Sequence, residues 1–470
     1  MEWTRLLSPR RRGEYGKRKT SGTDLRSEFE KDYHRIIGSA SFRRLQDKTQ
    51  VFPLDKSDFI RTRLTHSLEV SSLAKSLGQN ISEYIIQNHM DNQFDYKTKE
   101  DIGAILQCAG LIHDIGNPPF GHFGEEAIRE WFRTNLHTLE YGDKPVTEYL
   151  SSQMQNDFYN FEGNAQALRL VSKLHFLVNE NGMNLTYALL NSIIKYPVPS
   201  NGIRTDSGNI KDKKMGYFHS EEDLYYSIVA ETGAASCRHP LTYILEAADD
   251  IAYRTADIED AFKKGCFSYS DLVKELHSHL DAYYKGDAVY PIDVLKRQYK
   301  RALDTKVSAP ELYAVQNWLV RMQGMLIHSA TRGFVNHYDE IMSGTYPYDI
   351  FHGTDGGVLT DTLGDVAYKY AFMSRSILKL EIAAGRIIDF LLEKFVPAFL
   401  VYDSEYPMGM MEKKMISLIS ENYKQIYHTY SKGKSEPEKL YLRLMLVTDF
   451  ICGMTDSYAK SMYQELNGID

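Results

Sequence analysis

The segment HDIGNPPFGHFGE, from His113 to Glu125, concentrates residues that could carry chemistry. It combines two histidines and acidic side chains with two consecutive prolines and three glycines, a mixture that favours neither a long helix nor a strand. His113 and Asp114 end a stretch rich in small residues, where helices pack closely and polar side chains would be internal. A buried imidazole and carboxylate need partners, so this is either a hydrogen-bonded core pair or part of a site.

Two other segments place ionisable residues on apolar helical patterns. His66 lies in RTRLTHSLEV, and Asp249 and Asp250 lie in LEAADDIAYRTADIEDA. Adjacent buried carboxylates without a nearby lysine favour a bound cation. Two imidazoles and two carboxylates suit a divalent transition ion such as Mn²⁺, Fe²⁺ or Zn²⁺, with open positions for water or phosphate oxygen. The pattern H…HD…D is therefore a candidate metal site.

The elements that must position these residues are predicted to be helices, because period-2 alternation of useful length is nearly absent. The helix around His66 carries one predicted apolar stripe, formed by Leu64, Leu68, Val70, Leu73, Leu77, Ile81 and Ile85. The helix that leads to His113 is predicted to begin at Asp101, a plausible N-cap. An all-α fold follows.

Three loop-like stretches interrupt the helical pattern, at residues 134–147, 197–216 and 346–357. The second is long and polar, and it is compatible with a small hairpin or a lid. Since none of them resembles a linker, we expect one helical body with excursions. Its expected parts are a basic N-terminal arm (residues 1–30), a core (31–330) and a C-terminal helical region packed on that core (331–470).

The composition bounds the class of protein. The chain has 470 residues, is 43% hydrophobic and carries a formal net charge of −8, which argues against a surface covered by nucleic acid. A local basic run, SPRRRGEYGKRKT, is either a solvated tail or a contact for nucleic acid or another anion. Four scattered cysteines fit a reduced compartment. With no long uncharged apolar stretch, we expect a cytoplasmic protein without a membrane segment.

Several long motifs occur together in a fixed order: SASFRRLQDKTQVFPLDKSDFIRTRLTHSLEV, HDIGNPPFGHFGEEAI, NFEGNAQALRLVSKL, KYPVP with KKMGYFHSE, and LEAADDIAYRTADIEDA. They resemble the bacterial deoxyguanosinetriphosphate triphosphohydrolase family of HD-domain phosphohydrolases, which is related to the vertebrate SAM-and-HD-domain dNTPase. The resemblance covers roughly residues 3–262. It implies an HD-domain helical bundle core with additional helices.

By this resemblance the metal ligands are His66, His113, Asp114 and Asp249. Asp249 is chosen over Asp250 because the family motif places the ligand one helical turn before a tyrosine. The ion implied is Mn²⁺ or Mg²⁺, with Fe²⁺ or Zn²⁺ as alternatives.

The resemblance assigns His122 as the acid that protonates the leaving 5′ oxygen. Glu125 lies three residues later, so on a helix it shares a face with His122 and can orient and charge the imidazole. Simple capping of the following helix is the alternative interpretation. Asn117 stands where the vertebrate relative has a histidine, so a role for a second histidine there is not carried over.

Substrate contacts are implied in the same way. Gln50 and Asp257 match positions that hold the sugar 3′-hydroxyl, and Tyr253 would lie against the sugar where a 2′-hydroxyl does not fit. Arg63 aligns with an arginine near the α-phosphate. Further cations for the triphosphate are Lys195 and Lys214, which flank the long loop, and Arg43 or Arg44. Surface charge, or for Tyr253 a surface helix ladder, is the alternative interpretation.

The function implied is metal-dependent hydrolysis of a deoxynucleoside triphosphate, first of all dGTP, to deoxynucleoside and inorganic triphosphate. One alternative is an HD phosphohydrolase that acts on another nucleotide phosphoester. Another is a regulator that binds single-stranded nucleic acid through the basic N-terminus. The family resemblance also implies a homo-oligomer, with a hexamer as the plausible size, and single-stranded DNA as a possible partner.

Overall fold

The computed structural model describes residues 1–13, 24–52, 54, 60–175, 181–284 and 290–469. Its first half contains the α-helices α1 Trp3–Leu6, α2 Glu28–Ile37, α3 Ala40–Arg44, α4 Arg63–Gln87, α5 Tyr96–Ile112, α6 His122–Asn135, α7 Val146–Tyr149, α8 Ser152–Tyr159, α9 Gly163–Arg169, α10 Tyr187–Ser192 and α11 Glu222–Thr232. The second half contains α12 Pro240–Lys263, α13 Tyr269–Leu280, α14 Pro291–Asp304, α15 Pro310–Asn336, α16 Tyr338–Ser343, α17 Asp355–Ala367, α18 Arg375–Leu400, α19 Met410–Leu418, α20 Glu421–Ser431, α21 Glu436–Cys452 and α22 Asp456–Asn467.

The prediction of an all-α fold is confirmed. The described strands are β1 Glu140–Tyr141 and β2 Lys144–Pro145, which form a short antiparallel hairpin. Short 3₁₀ turns occur at Leu45–Asp47, Ser200–Gly202, Ile210–Asp212 and His219–Glu221, and π-helical turns at Leu170–Leu174 and Tyr368–Phe372. Among the described residues, no helix combines the length and the apolar character needed to cross a bilayer.

The hairpin lies in the first predicted loop and not in residues 197–216. That longer segment has no strand, because its backbone binds elsewhere: the Ile210 N–H donates to the Pro347 carbonyl, 2.9 Å away. Pro197 and Pro199 also lack the N–H groups that a hairpin ladder needs.

Two details of the predicted helices were wrong. Helix α5 begins at Tyr96 and not near Asp101, because the Asp95 side chain accepts from the Thr98 N–H and caps the helix six residues earlier. Leu68 in α4 is 48% exposed and does not belong to the buried stripe. It follows the buried His66 by two residues, which puts it on the other side of the helix.

Two hydrophobic clusters organise the molecule. The first cluster is built from α4, α5, α12, α15 and α17, and Trp318 is among its largest fully buried side chains. The second cluster joins α6 and α8 to the C-terminal helices α18 and α21, with Phe132, Phe395 and Leu444 buried in it. The boundary predicted between residues 330 and 331 falls inside α15, and the region after it contributes to both clusters.

The N-terminal residues that are described pack on this body. Trp3 and Leu6 are buried, and Arg11 is buried in an ion pair with Asp32. Arg10 pairs with Glu231 at 2.6 Å. These two arginines therefore have partners within the chain, whereas the expected basic positions at residues 17–19 lie outside the described residues.

Candidate active site

Three of the predicted ligands converge where α4, α5 and α12 meet. His66 lies in α4, His113 follows α5 directly, and Asp249 lies in α12. One ligand atom from each lies within 4.8 Å of the others. The Asp249 Oδ1 atom is 3.1 Å from His66 Nε2 and 3.3 Å from His113 Nε2. Both imidazoles are buried.

The hydrogen bond on the far side of His113 fixes how its ring is used. Its Nδ1 lies 2.8 Å from the Gly110 carbonyl oxygen, which can only accept, so Nδ1 carries a proton. In the neutral imidazole, Nε2 then presents a lone pair toward the Asp249 carboxylate oxygen, and this buried Nε2 has no hydrogen-bond partner. Two lone pairs that face each other are unfavourable unless a proton or a metal ion lies between them, and Asp114 and Asp249 accordingly raise the pKa of His113 although burial opposes this. The residues thus fit a divalent metal ion.

Asp114 lies beside this group with a different partner. Its Oδ2 atom is 3.7 Å from His113 Nε2 and forms an ion pair with Arg63. The neighbouring His113 and Arg63 hold the pKa of Asp114 well below its usual range, although burial alone would raise it. The carboxylate is therefore charged, and it is shared between an arginine and the ligand group.

A close approach of two backbones explains a glycine in the HDIG segment. A Cβ on Gly116 would come within 2.1 Å of the Ala167 backbone nitrogen in α9. A side chain there would push α9 away from the end of α5. The glycine thus fixes the distance between the ligand group and the segment NFEGNA.

His122 and Glu125 form a pair in the first turn of α6. His122 Nδ1 lies 3.1 Å from Glu125 Oε2, and the Glu125 Oε1 atom accepts from the Gly163 N–H at 2.6 Å. The hydrogen bond to Glu125 raises the pKa of His122. The pKa of Glu125 is lowered despite its burial, because the imidazole stabilises the carboxylate. The His122 side chain is 74% exposed and faces the cavity, while Glu125 is buried behind it.

A second carboxylate that the sequence did not single out stands next to this pair. Glu162 Oε2 is 2.9 Å from Lys214 Nζ and 3.3 Å from Arg129 Nη2, and Arg129 Nη2 is also 3.4 Å from Glu125 Oε2. Burial raises the pKa of Glu162, and Glu125 raises it further. The motif NFEGNA was visible in the sequence, but its spacing alone gave Glu162 no role.

These groups line a cavity of about 620 Å³ between the two hydrophobic clusters, a volume typical of small-molecule sites. The predicted residues that line it are Gln50, Arg63, Asp114, His122, Glu125, Lys195, Lys214, Asp249 and Tyr253. His66 and His113 lie behind its wall. Asp257 is buried outside the lining, where burial raises its pKa well above the usual range.

The α12 wall of the cavity carries paired charges. Lys195 Nζ is 3.2 Å from Asp249 Oδ2. Burial alone would lower the pKa of Lys195, but the Asp249 carboxylate raises it, so the ammonium stays charged. Burial, together with Glu246 and Asp249, raises the pKa of Asp250 to about 8. The protonated form of Asp250 is therefore favoured, which reduces the second negative charge that the sequence suggested.

The far wall comes from the C-terminal part of the chain and was not predicted. Tyr253 stacks on Phe372 with ring centroids 6.2 Å apart and an interplanar angle of 19°. Tyr368, Met373 and Glu381 also line this end.

Gln50 lies on the cavity as well, and its buried Oε1 has no hydrogen-bond partner among the described residues.

The two arginines predicted as alternatives for binding the triphosphate, Arg43 and Arg44, bind backbone carbonyls away from the cavity. Arg43 donates to the Gly38 carbonyl at 3.0 Å, and Arg44 donates to the Gly453 carbonyl at 3.1 Å. Neither lines the cavity. Arg44 instead ties the N-terminal segment to the end of α21.

Comparisons with known proteins agree with the motifs. A family model described as HD domain matches residues 63–191. A deoxyguanosinetriphosphate triphosphohydrolase-like protein of Listeria monocytogenes is 48% identical over 472 residues, covering 100% of both chains. A protein of the same description from Synechocystis is 32% identical over 486 residues, again covering 100% of both. A deoxyguanosinetriphosphate triphosphohydrolase of Salmonella typhi is 33% identical over 480 residues, covering 94% of each chain. The chain therefore belongs to the deoxyguanosinetriphosphate triphosphohydrolase family of HD-domain proteins.

Proposed function

We propose that this protein hydrolyses deoxynucleoside triphosphates, with dGTP as the preferred substrate, to the deoxynucleoside and inorganic triphosphate. One observation carries the proposal: a single cavity brings a His–His–Asp group together with a charged imidazole–carboxylate pair. A phosphoester site needs these two parts, a cation for the phosphate and an acid for the leaving oxygen.

His66, His113 and Asp249 would hold a divalent metal ion, with Asp114 as a fourth ligand. When bound, the ion would draw charge from phosphate oxygens and make a water molecule more acidic. Mn²⁺ or Mg²⁺ is our first expectation, and Fe²⁺ or Zn²⁺ the alternative. Arg63 and Lys195 lie next to this group and would neutralise charge on the α-phosphate and its neighbours.

His122 would supply the proton. Hydrolysis breaks the bond between the α-phosphorus and the 5′ oxygen, and a water oxygen forms the new bond to phosphorus. The water releases one proton to solvent, and His122 recovers a proton from solvent after it has protonated the leaving oxygen. The leaving oxygen takes a proton from His122 Nε2, since Nδ1 is bonded to Glu125. The raised pKa favours the charged form of this imidazole, and the buried carboxylate keeps it oriented.

The remaining contacts would select the substrate. Lys214 would bind the outer phosphates, and Gln50 would use its unsatisfied acceptor to bind the sugar 3′-hydroxyl. Tyr253, held against Phe372, would exclude a 2′-hydroxyl. The buried Asp257 would act through Tyr253, one helical turn earlier. Glu381 lines the cavity, and its carboxylate could accept from the two adjacent N–H donors on the edge of guanine.

The test is incubation of the purified protein with Mn²⁺ or Mg²⁺ and each of the four dNTPs, with GTP as the ribose control. We expect deoxynucleoside plus intact triphosphate, fastest from dGTP, and no product from GTP. Release of orthophosphate, or opening of a cyclic nucleotide, would instead identify a phosphohydrolase with another phosphoester substrate.

A homo-oligomer, plausibly a hexamer, and binding of single-stranded DNA are proposals that rest on family resemblance. If DNA binding uses the basic N-terminal run, filter binding should weaken steeply as salt rises and disappear when residues 1–20 are removed. Binding that is absent or insensitive to salt would refute that proposal.

A further inference from the structure

We propose that Asp456, the first residue of α22, is a positioning residue that holds the acid His122 at the correct place relative to the metal ligands. The inference rests on the proposed function. It gives the C-terminal helices, which carry none of the recognised motifs, a defined part in the reaction.

Asp456 does not line the cavity itself but binds two residues that do, Thr49 and Phe120. Its side chain is buried, and its Oδ1 atom accepts from the Phe120 N–H at 2.9 Å. Its Oδ2 atom accepts from the Thr49 N–H at 2.9 Å and also from the Thr49 hydroxyl. Thr49 precedes Gln50, and Phe120 lies two residues before His122. One carboxylate therefore connects a sugar-binding segment to the acid-bearing turn.

The turn needs such a connection because it offers few bonds of its own. Pro118 and Pro119 have no N–H groups. Phe120 has a φ of 64°, a left-handed conformation that costs energy for a non-glycine residue. Gly121, the N-cap of α6, has no side chain to cap the helix. The position of His122 thus depends on what holds Phe120, and the described bond to its N–H comes from Asp456.

Lys48 holds the other end of the same turn. Its buried ammonium donates to the Asn117 carbonyl at 2.5 Å and to the Cys452 carbonyl at 2.6 Å. The two prolines lie between Asn117 and Phe120, so one cation and one anion fix the two ends of the turn. Both ends are tied to the junction between α21 and α22, residues 452–456: Lys48 binds the Cys452 carbonyl, and Asp456 lies in the junction itself.

The contacts of Lys48 and Asp456 with the two ends of the turn, here called the clamp, matter because the two halves of the site belong to different hydrophobic clusters. The metal ligands are anchored by α4, α5 and α12 in the first cluster, whereas His122 starts α6, which packs in the second. A small shift between the clusters would separate the acid from the phosphate. A misplacement of about 1 Å can cost about 100-fold in rate.

The experiment compares Asp456→Asn with Ser457→Ala. The first variant keeps the shape but replaces one acceptor oxygen by an NH₂ group, so either Thr49 or Phe120 loses its acceptor. The second is a matched control: it removes the 2.9 Å bond from Ser457 to Asp47, which joins the same two segments at the surface without touching the turn. For Asp456→Asn we expect kcat to fall about 10- to 100-fold, with a smaller rise in KM for dGTP, because Thr49 precedes the proposed sugar contact Gln50, and with affinity for Mn²⁺ close to wild type.

Hydrogen exchange of residues 115–122 supplies a readout that does not depend on activity. We expect these amides to exchange faster in Asp456→Asn and at the wild-type rate in Ser457→Ala. Equal exchange and equal kcat in the two variants would overturn the inference. If the wild type releases no triphosphate, the proposed function fails, but the exchange comparison still tests the clamp.

Lys48→Met tests the other end of the turn if Asp456→Asn does not fold. The side chain keeps a similar length, but the carbonyls of Asn117 and Cys452 lose their donor. We expect kcat to fall about 10-fold and residues 115–122 to exchange faster than in the wild type. If both kcat and exchange equal those of Ser457→Ala, the turn does not depend on contacts with residues 452–456, and the inference is overturned.

Discussion

The two sides of the cavity are built differently. On the metal side, buried imidazoles are fixed by short contacts within the first cluster, and His113 has its tautomer set by a carbonyl in its own helix. On the acid side, His122 is largely exposed and is held by Glu125 and by a turn that other parts of the chain clamp. The proposed metal side is held by contacts among α4, α5 and α12, whereas the proposed acid side is held by the local Glu125 contact and by the contacts of its turn with residues 452–456. Variants on the two sides should therefore separate metal binding from proton transfer.

The largest expected effect is on the metal side. His113→Ala and Asp249→Asn should each lower kcat/KM by more than about 1000-fold and abolish tight binding of Mn²⁺, since the remaining donors no longer surround an ion. Activity assays and titration of bound metal measure this. His137→Ala, an exposed histidine after α6, is the control and should behave as wild type. Full activity in both ligand variants would rule out this metal site.

On the acid side, His122→Ala should reduce kcat by about 100- to 1000-fold, the usual contribution of a general acid. Metal affinity should stay within about twofold of wild type, because His122 does not belong to the ligand group. A loss of metal that matches the loss of rate would contradict the division between the two sides.

The sequence predicted the residues of the metal side better than the contacts that hold the acid side. The fold class followed from helical periodicity. His66, His113 and the pair Asp249 and Asp250 followed from ionisable residues on apolar helices, and the family resemblance selected Asp249. The contact of His113 with Gly110 is local, so the sequence constrains it strongly, whereas its approach to Asp249 depends on how α5 packs against α12.

The far wall could not be predicted, because Tyr368, Phe372 and Glu381 reach the cavity only through the packing of later helices. Asp456 gave no signal either, since an acidic residue at the start of a helix is common for reasons of helix polarity alone. Leu68 and the start of α5 were misjudged because periodicity fixes helix faces and ends only approximately. Long-range contacts leave little trace in local pattern.

A smaller effect is expected on the pH dependence of kcat, which tests the acid side alone. Because the bond to Glu125 raises the pKa of His122, the protonated form persists above the ordinary value, and kcat should fall as pH rises through the raised pKa. Glu125→Gln removes the charge that stabilises the imidazolium, so the alkaline limb should move about one unit to lower pH. Rates between pH 5 and 10 measure this shift. An unmoved limb would mean that another group supplies the proton.

The smallest expected effect concerns the turn between the two sides. Replacing both Pro118 and Pro119 by alanine restores two N–H groups and backbone freedom, at a cost of about 0.4–1 kcal/mol per site. The contacts of Lys48 and Asp456 should still hold the two ends of the turn in place despite this added backbone freedom. We therefore expect kcat to fall only several-fold and Mn²⁺ affinity not to change. Combining the proline changes with Asp456→Asn should cost more than the product of the separate effects, because both act on one turn. A larger loss of metal affinity than of kcat would show that the turn serves the metal side, and the two sides would then have to be treated as one unit.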